Sequence, residues 1–280
     1  MKKQLVFISL CALSVSTKII AGDLFPKEKK TFSLGAKTSG MAGDGDVLKS
    51  PKQVIKLNLT QLALRNISLQ YEFGFHKNFS VALGGSYLLP KDIPSQLFAP
   101  SSNGSGYQLP RFGGWAVTPE IRFYPGKKVK HQAPHGFYLA PYFRYSKYNL
   151  NSDYVNIDST SGAQQNYNVT ASYAGFTAGL MIGSQWLIGK HFSIDWWIIG
   201  GGYGKAKFNI HAVSTDGSIN MSPQEQADLR RDIQDNIGEL GSFGNGEVTI
   251  ETTNNSATAT VTGLPMTSIR GFGLTLGFSF

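Results

Sequence analysis

The 280-residue chain has a single cysteine, Cys11, close to its start. If the leading segment is removed, no thiol remains, which excludes a disulfide scaffold and a cysteine nucleophile. Leu10 directly before Cys11, and its early position, argue against lipid attachment there. Long apolar runs are also lacking: the stretch Leu5 to Val15 is shorter than the roughly 20 residues a membrane-spanning helix needs. The net charge of +8 is scattered and forms no basic tract, so nucleic acid is not an expected partner. No glycine-rich run follows a strand and opens a helix as a phosphate-binding loop does, so the 32 glycines read as wall residues. The His residues (His76, His131, His135, His191, His211) show no metal-ligand spacing, and no cofactor is implied.

What is present begins with Met1-Lys2-Lys3, a short apolar core and the small residues Ala21 and Gly22. These are the parts of an export signal over residues 1–22. Loss of Lys2, Lys3 and Lys18 with that signal lowers the net charge from +8 to +5. Residues 23–52 are polar and read as a periplasmic leader. Residues 53–280 contain no Pro-rich or Ser/Gly-rich linker and read as one domain.

From residue 53 onward the pattern is alternation. In the closing stretch Phe272, Leu274, Leu276, Phe278 and Phe280 share one face, and Gly271, Gly273, Thr275, Gly277 and Ser279 the other. Similar strands are expected at Ile55–Thr60, Ile67–Phe75, Phe79–Tyr87, Trp115–Tyr124, Gly136–Tyr148, Tyr167–Leu187 and Phe192–His211. Short turns at His76 to Asn78, Pro125 to Pro134 and Ile188 to His191 alternate with longer loops, as periplasmic and extracellular ends of such walls do. The expected fold is an all-β, closed antiparallel transmembrane β-barrel of eight strands, or ten if the leader and the last loop each add one. Its expected place is the cell outer membrane, among lipid and lipopolysaccharide, as a monomer assembled by the barrel-assembly machinery through the C-terminal strand. Pro119 predicts a local irregularity in the fourth strand.

An extracellular insert spans residues 212–263. In it Ser222-Pro-Gln-Glu225 is a capping box, Leu229, Ile233 and Ile237 recur every fourth residue, and Val248–Thr253 with Thr258–Thr262 reads as a hairpin.

Eight charged residues fall opposite the bulky apolar face of their strands. A lysine or arginine facing mid-bilayer lipid costs about 2–4 kcal/mol, so Lys56, Glu72, Glu120, Arg122, Arg144, Asp195, Lys205 and Lys207 are expected inside as a polar network. Tyr71, Tyr87, Trp115, Trp186, Trp196, Phe278 and Phe280 are expected at the lipid interfaces. The reading is a structural or surface-binding barrel with a packed interior. The alternative is a narrow channel, or a lateral-entry path near Pro119 for small or apolar molecules. The sole catalytic candidate, His191 and Ser193 with Asp195, is similar in spacing to the His and Ser of outer-membrane lipid A deacylases. It sits at a periplasmic turn with Ser193 facing inward, so no catalytic residue is assigned and the chain is not read as an enzyme.

Lys56-Leu-Asn-Leu-Thr60, Asn66-Ile-Ser-Leu-Gln-Tyr-Glu72 and Lys77-Asn-Phe-Ser-Val-Ala-Leu-Gly84 resemble a family of uncharacterised outer-membrane barrels from Bacteroidota, from about Val54 to Phe280. The resemblance implies a Gram-negative outer-membrane location and a small barrel of OmpA/OmpW-like architecture. It brings no catalytic residues.

Overall fold

The computed structural model describes residues 52–93, 109–125, 133–157, 164–189, 191–242 and 246–280. The expected signal, leader and most of the Pro125 to Pro134 turn lie outside them. Among the described residues nine antiparallel strands make one sheet: β1 (Gln53–Asn58), β2 (Asn66–His76), β3 (Phe79–Asp92), β4 (Arg111–Phe123), β5 (Gly136–Ile157), β6 (Gln164–Ile188), β7 (Phe192–Ser214), β8 (Val248–Thr252) and β9 (Ser256–Ser279). Each of β1 to β7 pairs with its successor, β7 pairs with β9, and β9 pairs back with β1, so the ladder closes on itself. β8 pairs with β9 alone and stands outside this circuit. Closure leaves β1 and β9 without the bare edge that an open sheet would carry.

The register sets the tilt. Starting at Leu276, paired residues run through Leu57, Leu69, Gly85, Val117, Tyr145, Phe176 and Lys205, and return to β9 at Pro265. That stagger obliges the strands to lean against the barrel axis. The β4–β5 ladder thins beside Pro119: beyond Val117 only Glu120 with Tyr142 and Phe123 with Leu139 are paired. Pro119 and Pro141 both lack the N–H that a ladder bond requires.

Three boundaries differ from the sequence reading, each for a local reason. The first strand was expected to reach Thr60 but stops at Asn58. The Asn58 side chain accepts from the Gln61 N–H at 2.8 Å and caps a five-residue helix, α1 (Leu59–Ala63). α1 takes the place of a strand beside β9, where the Thr60 hydroxyl accepts from the Leu274 N–H at 3.0 Å and donates to the Phe272 carbonyl at 3.3 Å. The second difference is the insert. β7 runs to Ser214, and the second hairpin strand is continuous with β9, because Gly263 at φ +72° carries the chain on without a break.

The third difference governs the interior. Ser193, Asp195 and Trp197 face inward on β7, but so do Gly204 and Ala206. Ile182 pairs with Ile199 and Gly183 with Trp197, leaving Ile198 as an extra residue. A bulge of this kind reverses the inward and outward parity of every residue beyond it. β9 reverses at the same level, where Phe272 adopts φ +52° and both Gly273 and Arg270 are buried.

Glycine makes room for the large inward rings. A Cβ at Gly183 would lie 2.5 Å from the Tyr138 ring and 2.7 Å from the Trp196 carbonyl oxygen, whereas one at Gly201 would meet nothing within 4 Å. Gly183→Ala is therefore expected to destabilise the refolded barrel by about 1–3 kcal/mol. Gly201→Ala should leave the urea midpoint close to native, and equal midpoints for the two variants would refute this packing.

Candidate functional site

The lower lumen, towards the short turns, is filled by charge. Lys56 (β1), Glu72 (β2), Glu120 and Arg122 (β4), Asp195 (β7) and Arg270 (β9) are all buried. They contribute three cations and three carboxylates, so the buried charge balances. The Lys56 ammonium donates to Glu72, to Asp195 at 2.8 Å and to the Gln185 amide oxygen at 2.7 Å. Arg122 donates to Asp195 at 2.7 Å, to Glu120 at 3.0 Å and to Gln70 at 2.8 Å. Arg270 closes the chain of ion pairs, reaching Glu120 at 2.6 Å.

Neutral groups complete the shell. The Tyr124 hydroxyl donates to Glu72 at 2.6 Å, and that of Tyr138 to Asp195 at 2.8 Å; Ser80 also donates to Glu72. The Arg122 guanidinium lies 4.4 Å from the Tyr138 ring centroid, and that of Arg270 lies 4.5 Å from Trp197 and 5.0 Å from Tyr142. Carboxylates need several donors to stay ionised away from water, and these receive them.

The structure brings together Lys56, Glu72, Glu120, Arg122 and Asp195, but not the remaining three residues expected with them. Arg144 lines the lumen higher up and donates to Thr118 at 3.0 Å. Lys205 and Lys207 are a correction: they are exposed on the outer surface, because the bulge at Ile198 reverses the parity that the sequence reading carried on from Asp195. Tyr203 is 63% exposed for the same reason. Phe208 turns inward.

Arg270 was not among the expected network residues, and unbroken alternation on β9 would set it on the face of Phe272. A usable signal existed in the cost of an arginine facing lipid, flanked by the kink-tolerant Gly271 and Gly273. Tyr71, Tyr87, Trp115, Trp186, Trp196, Phe278 and Phe280 all point outward, between 40% and 51% exposed. Ser193 is buried with no hydrogen-bond partner for its hydroxyl, Asp195 is committed to Lys56 and Arg122, and the His191 ring lies against the Ser279 carbonyl and the Phe278 ring. No hydrolytic triad is assembled from these three residues.

Above the wall stands a crown. Helix α2 (Pro223–Ser242) packs Ile233 and Ile237 against Val248 and Ile250 of β8, Ala259 and Val261 of β9, and Phe208 and Ile210 of β7. These strand residues share the inward face, so α2 leans on the lumen side of the mouth. Its start is fixed by the capping box: the Glu225 carboxylate accepts from the Ser222 N–H at 2.8 Å and hydroxyl at 2.9 Å, which holds its pKa below the ordinary value.

Residues 41–227 match the family described as protein of unknown function DUF3575. The chain belongs to that family. The DUF3575 match contains Lys56, Glu72, Glu120, Arg122 and Asp195, and ends before β8 and β9. No curated protein matches the chain. Two crystal structures of Acinetobacter baumannii proteins are similar to it. CarO is 11% identical with a TM-score of 0.32, over 84% of this chain and 100% of that one. CarO2 is 10% identical with a TM-score of 0.36, over 83% and 99%.

Removing one partner of the network should cost about 3–5 kcal/mol, because it strands an opposite charge in the lumen. Lys56→Met and Glu72→Gln are each expected to lower the unfolding free energy by that order. Together they should cost less than the sum of the two, as urea unfolding in micelles would show; strict additivity would mean the charges are independent. In the crown, depression of the Glu225 pKa means that the cap's contribution is full above 4.5 and is lost as pH falls through the lower folded value. Amide NMR signals of Gln224 to Gln226 should therefore move in acid in the native chain and lose that response in Glu225→Gln.

Proposed function

We propose that this chain is a small outer-membrane barrel with a closed lumen, whose crown presents a recognition surface to the exterior. The observation that carries the reading is the balanced six-charge network, which fills the cross-section between β1, β2, β4, β7 and β9. An eight-stranded circuit has an interior just wide enough for side chains to fill.

Membrane residence is supported by the outer face. Ile67, Leu69, Tyr71, Phe73 and Phe75 on β2, Val117, Ile121 and Phe123 on β4, Leu274, Leu276 and Phe278 on β9, and Phe280 just after it are each 38–55% exposed. A water-soluble barrel has no use for such a surface. On β2 the stripe from Ile67 to Phe75 covers about 20 Å of the barrel axis at about 3.3 Å per residue and a tilt of about 40°, close to the apolar band of about 25 Å in such barrels. Aromatic contacts bound it: Phe79 with Phe123 at 5.0 Å near the short turns, and Trp115 with Tyr145 at 5.5 Å near the long loops. No helix among the described residues is long and apolar enough to cross a membrane, so strands must do the crossing in this reading.

A second reading, a narrow lateral path for small apolar molecules, draws on the thinned ladder beside Pro119.

Planar-bilayer recordings separate the two. The refolded protein is expected to give no conductance steps, both intact and after removal of residues 217–253. Steps in the intact protein would overturn the closed lumen. Steps only after the deletion would move the seal from the charge network to the crown.

A further inference from the structure

The parity reversal at Ile198 has placed two lysines where a barrel wall usually carries apolar or neutral residues. Lys205 and Lys207 are exposed on the outer surface of β7, and Lys147 is half-buried on the outer surface of β5. Register brings them into one patch. Lys147 pairs with Ala174, which pairs with Lys207, so the two lysines flank one small residue across three strands. At about 4.8 Å between strands their Cα atoms are about 10 Å apart. Lys205 stands two residues along β7 from Lys207, level with Phe176 and Tyr145.

Those two rings mark the patch's lower border. Tyr145 packs on Trp115 at 5.5 Å and Phe176 on Phe143 at 5.7 Å, forming the aromatic rim on the long-loop side. The lysines therefore sit just beyond the apolar band, at the depth of lipid headgroups.

No ion pair on this face neutralises them. Among the described residues, none of the three lysines is in an ion pair. On β5 the next carboxylate outward is Asp153, about 20 Å further along the strand. The outward residues of β6 are uncharged, and so are Pro265 and Thr267 of β9. Glu247 lies across β9 and makes no ion pair with Lys207. A solvated rim would be expected to intersperse signs, as the exposed pair Asp92 on β3 and Arg111 on β4 does at 3.4 Å.

We propose that Lys147, Lys205 and Lys207 form a clamp for the phosphate groups of an anionic lipid headgroup in the leaflet beside the long loops. The inference rests on the membrane reading above. Lipid tails would lie along Phe143, Phe176 and Tyr203, while two phosphates about 10 Å apart could each meet a lysine across Ala174. A multiply phosphorylated glycolipid fits this spacing better than a single phosphate diester. Juxtamembrane lysines each add roughly five-fold to anionic-lipid binding, so three give about 100-fold.

The test uses the full chain refolded into phosphatidylcholine vesicles containing fluorescent bisphosphorylated lipid A. Flotation with the vesicles reports membrane insertion, independently of the patch. Chains that fail to float would refute the membrane reading itself. For inserted protein, K147Q/K205Q/K207Q is expected to weaken lipid A binding about 100-fold. K91Q/R230Q/R231Q, with the same charge removed elsewhere, should bind like the native chain. Binding should also fall between about 0.1 and about 1 M salt, as the screening length drops from about 10 to about 3 Å. Equal binding by native and K147Q/K205Q/K207Q proteins, or equal binding of dephosphorylated lipid A, would overturn the clamp. Displacement by micromolar inorganic phosphate would also overturn it, by making free phosphate the ligand.

Discussion

Charge cannot be buried in a narrow lumen unless it is matched, and much of this molecule follows from that requirement. Three cations and three carboxylates occupy the lower lumen with side chains no more than 7% exposed. Each would carry a desolvation penalty of several kcal/mol if left alone. Their pairing spans five strands, so no strand can slip by one residue without turning a charge towards the outer surface and stranding its partner. The network thus fixes register as well as filling space, and the glycines and tyrosines around it follow from its size. Gly183 yields to the Tyr138 ring, and Tyr138 in turn completes the donor shell of Asp195.

A strictly alternating wall could not have supplied this set. With unbroken alternation on β9, Arg270 would share the outward face of Leu274 and Phe278, and Glu120 would lose the cation it meets at 2.6 Å. The bulge at Ile198, faced by Phe272 in the left-handed region, corrects that parity. The same reversal sends Lys205 and Lys207 out above the aromatic rim. The paired reversals at Ile198 and Phe272 therefore do two things: they complete the buried charge balance and create an exposed basic patch.

The sequence made the alternation, the strand order and five of the six network residues legible, because a period of two separates the charged residues from the bulky apolar ones. The capping box at Ser222 and Glu225 was equally plain, since both partners lie within one turn. Lys205 and Lys207 were assigned to the wrong face by a single cause. A bulge is a relation between neighbouring strands, and Ile198 has no side-chain signature that distinguishes it from Ile194. The end of β1 at Asn58 was hidden for a related reason: Leu57, Leu59 and the polar residues between them alternate well enough for a strand, and only the Asn58 cap turns the chain.

The boundary of the DUF3575 match sharpens what the closing strand contributes. Within the matched segment lie Lys56 and Arg122 against Glu72, Glu120 and Asp195, two cations facing three carboxylates. The missing positive charge arrives with Arg270 on β9, which also closes the circuit by pairing with β1 and β7. Before β9 docks, the lumen is both open along one side and one charge short of neutral. Docking removes the open edge and supplies the cation in the same step, with Trp197 and Tyr142 stacked against the guanidinium. Closure and neutralisation are coupled, so a partly closed barrel retains an unmatched carboxylate until the last strand is seated. That coupling favours all-or-none completion of the wall over a stable seven-stranded intermediate.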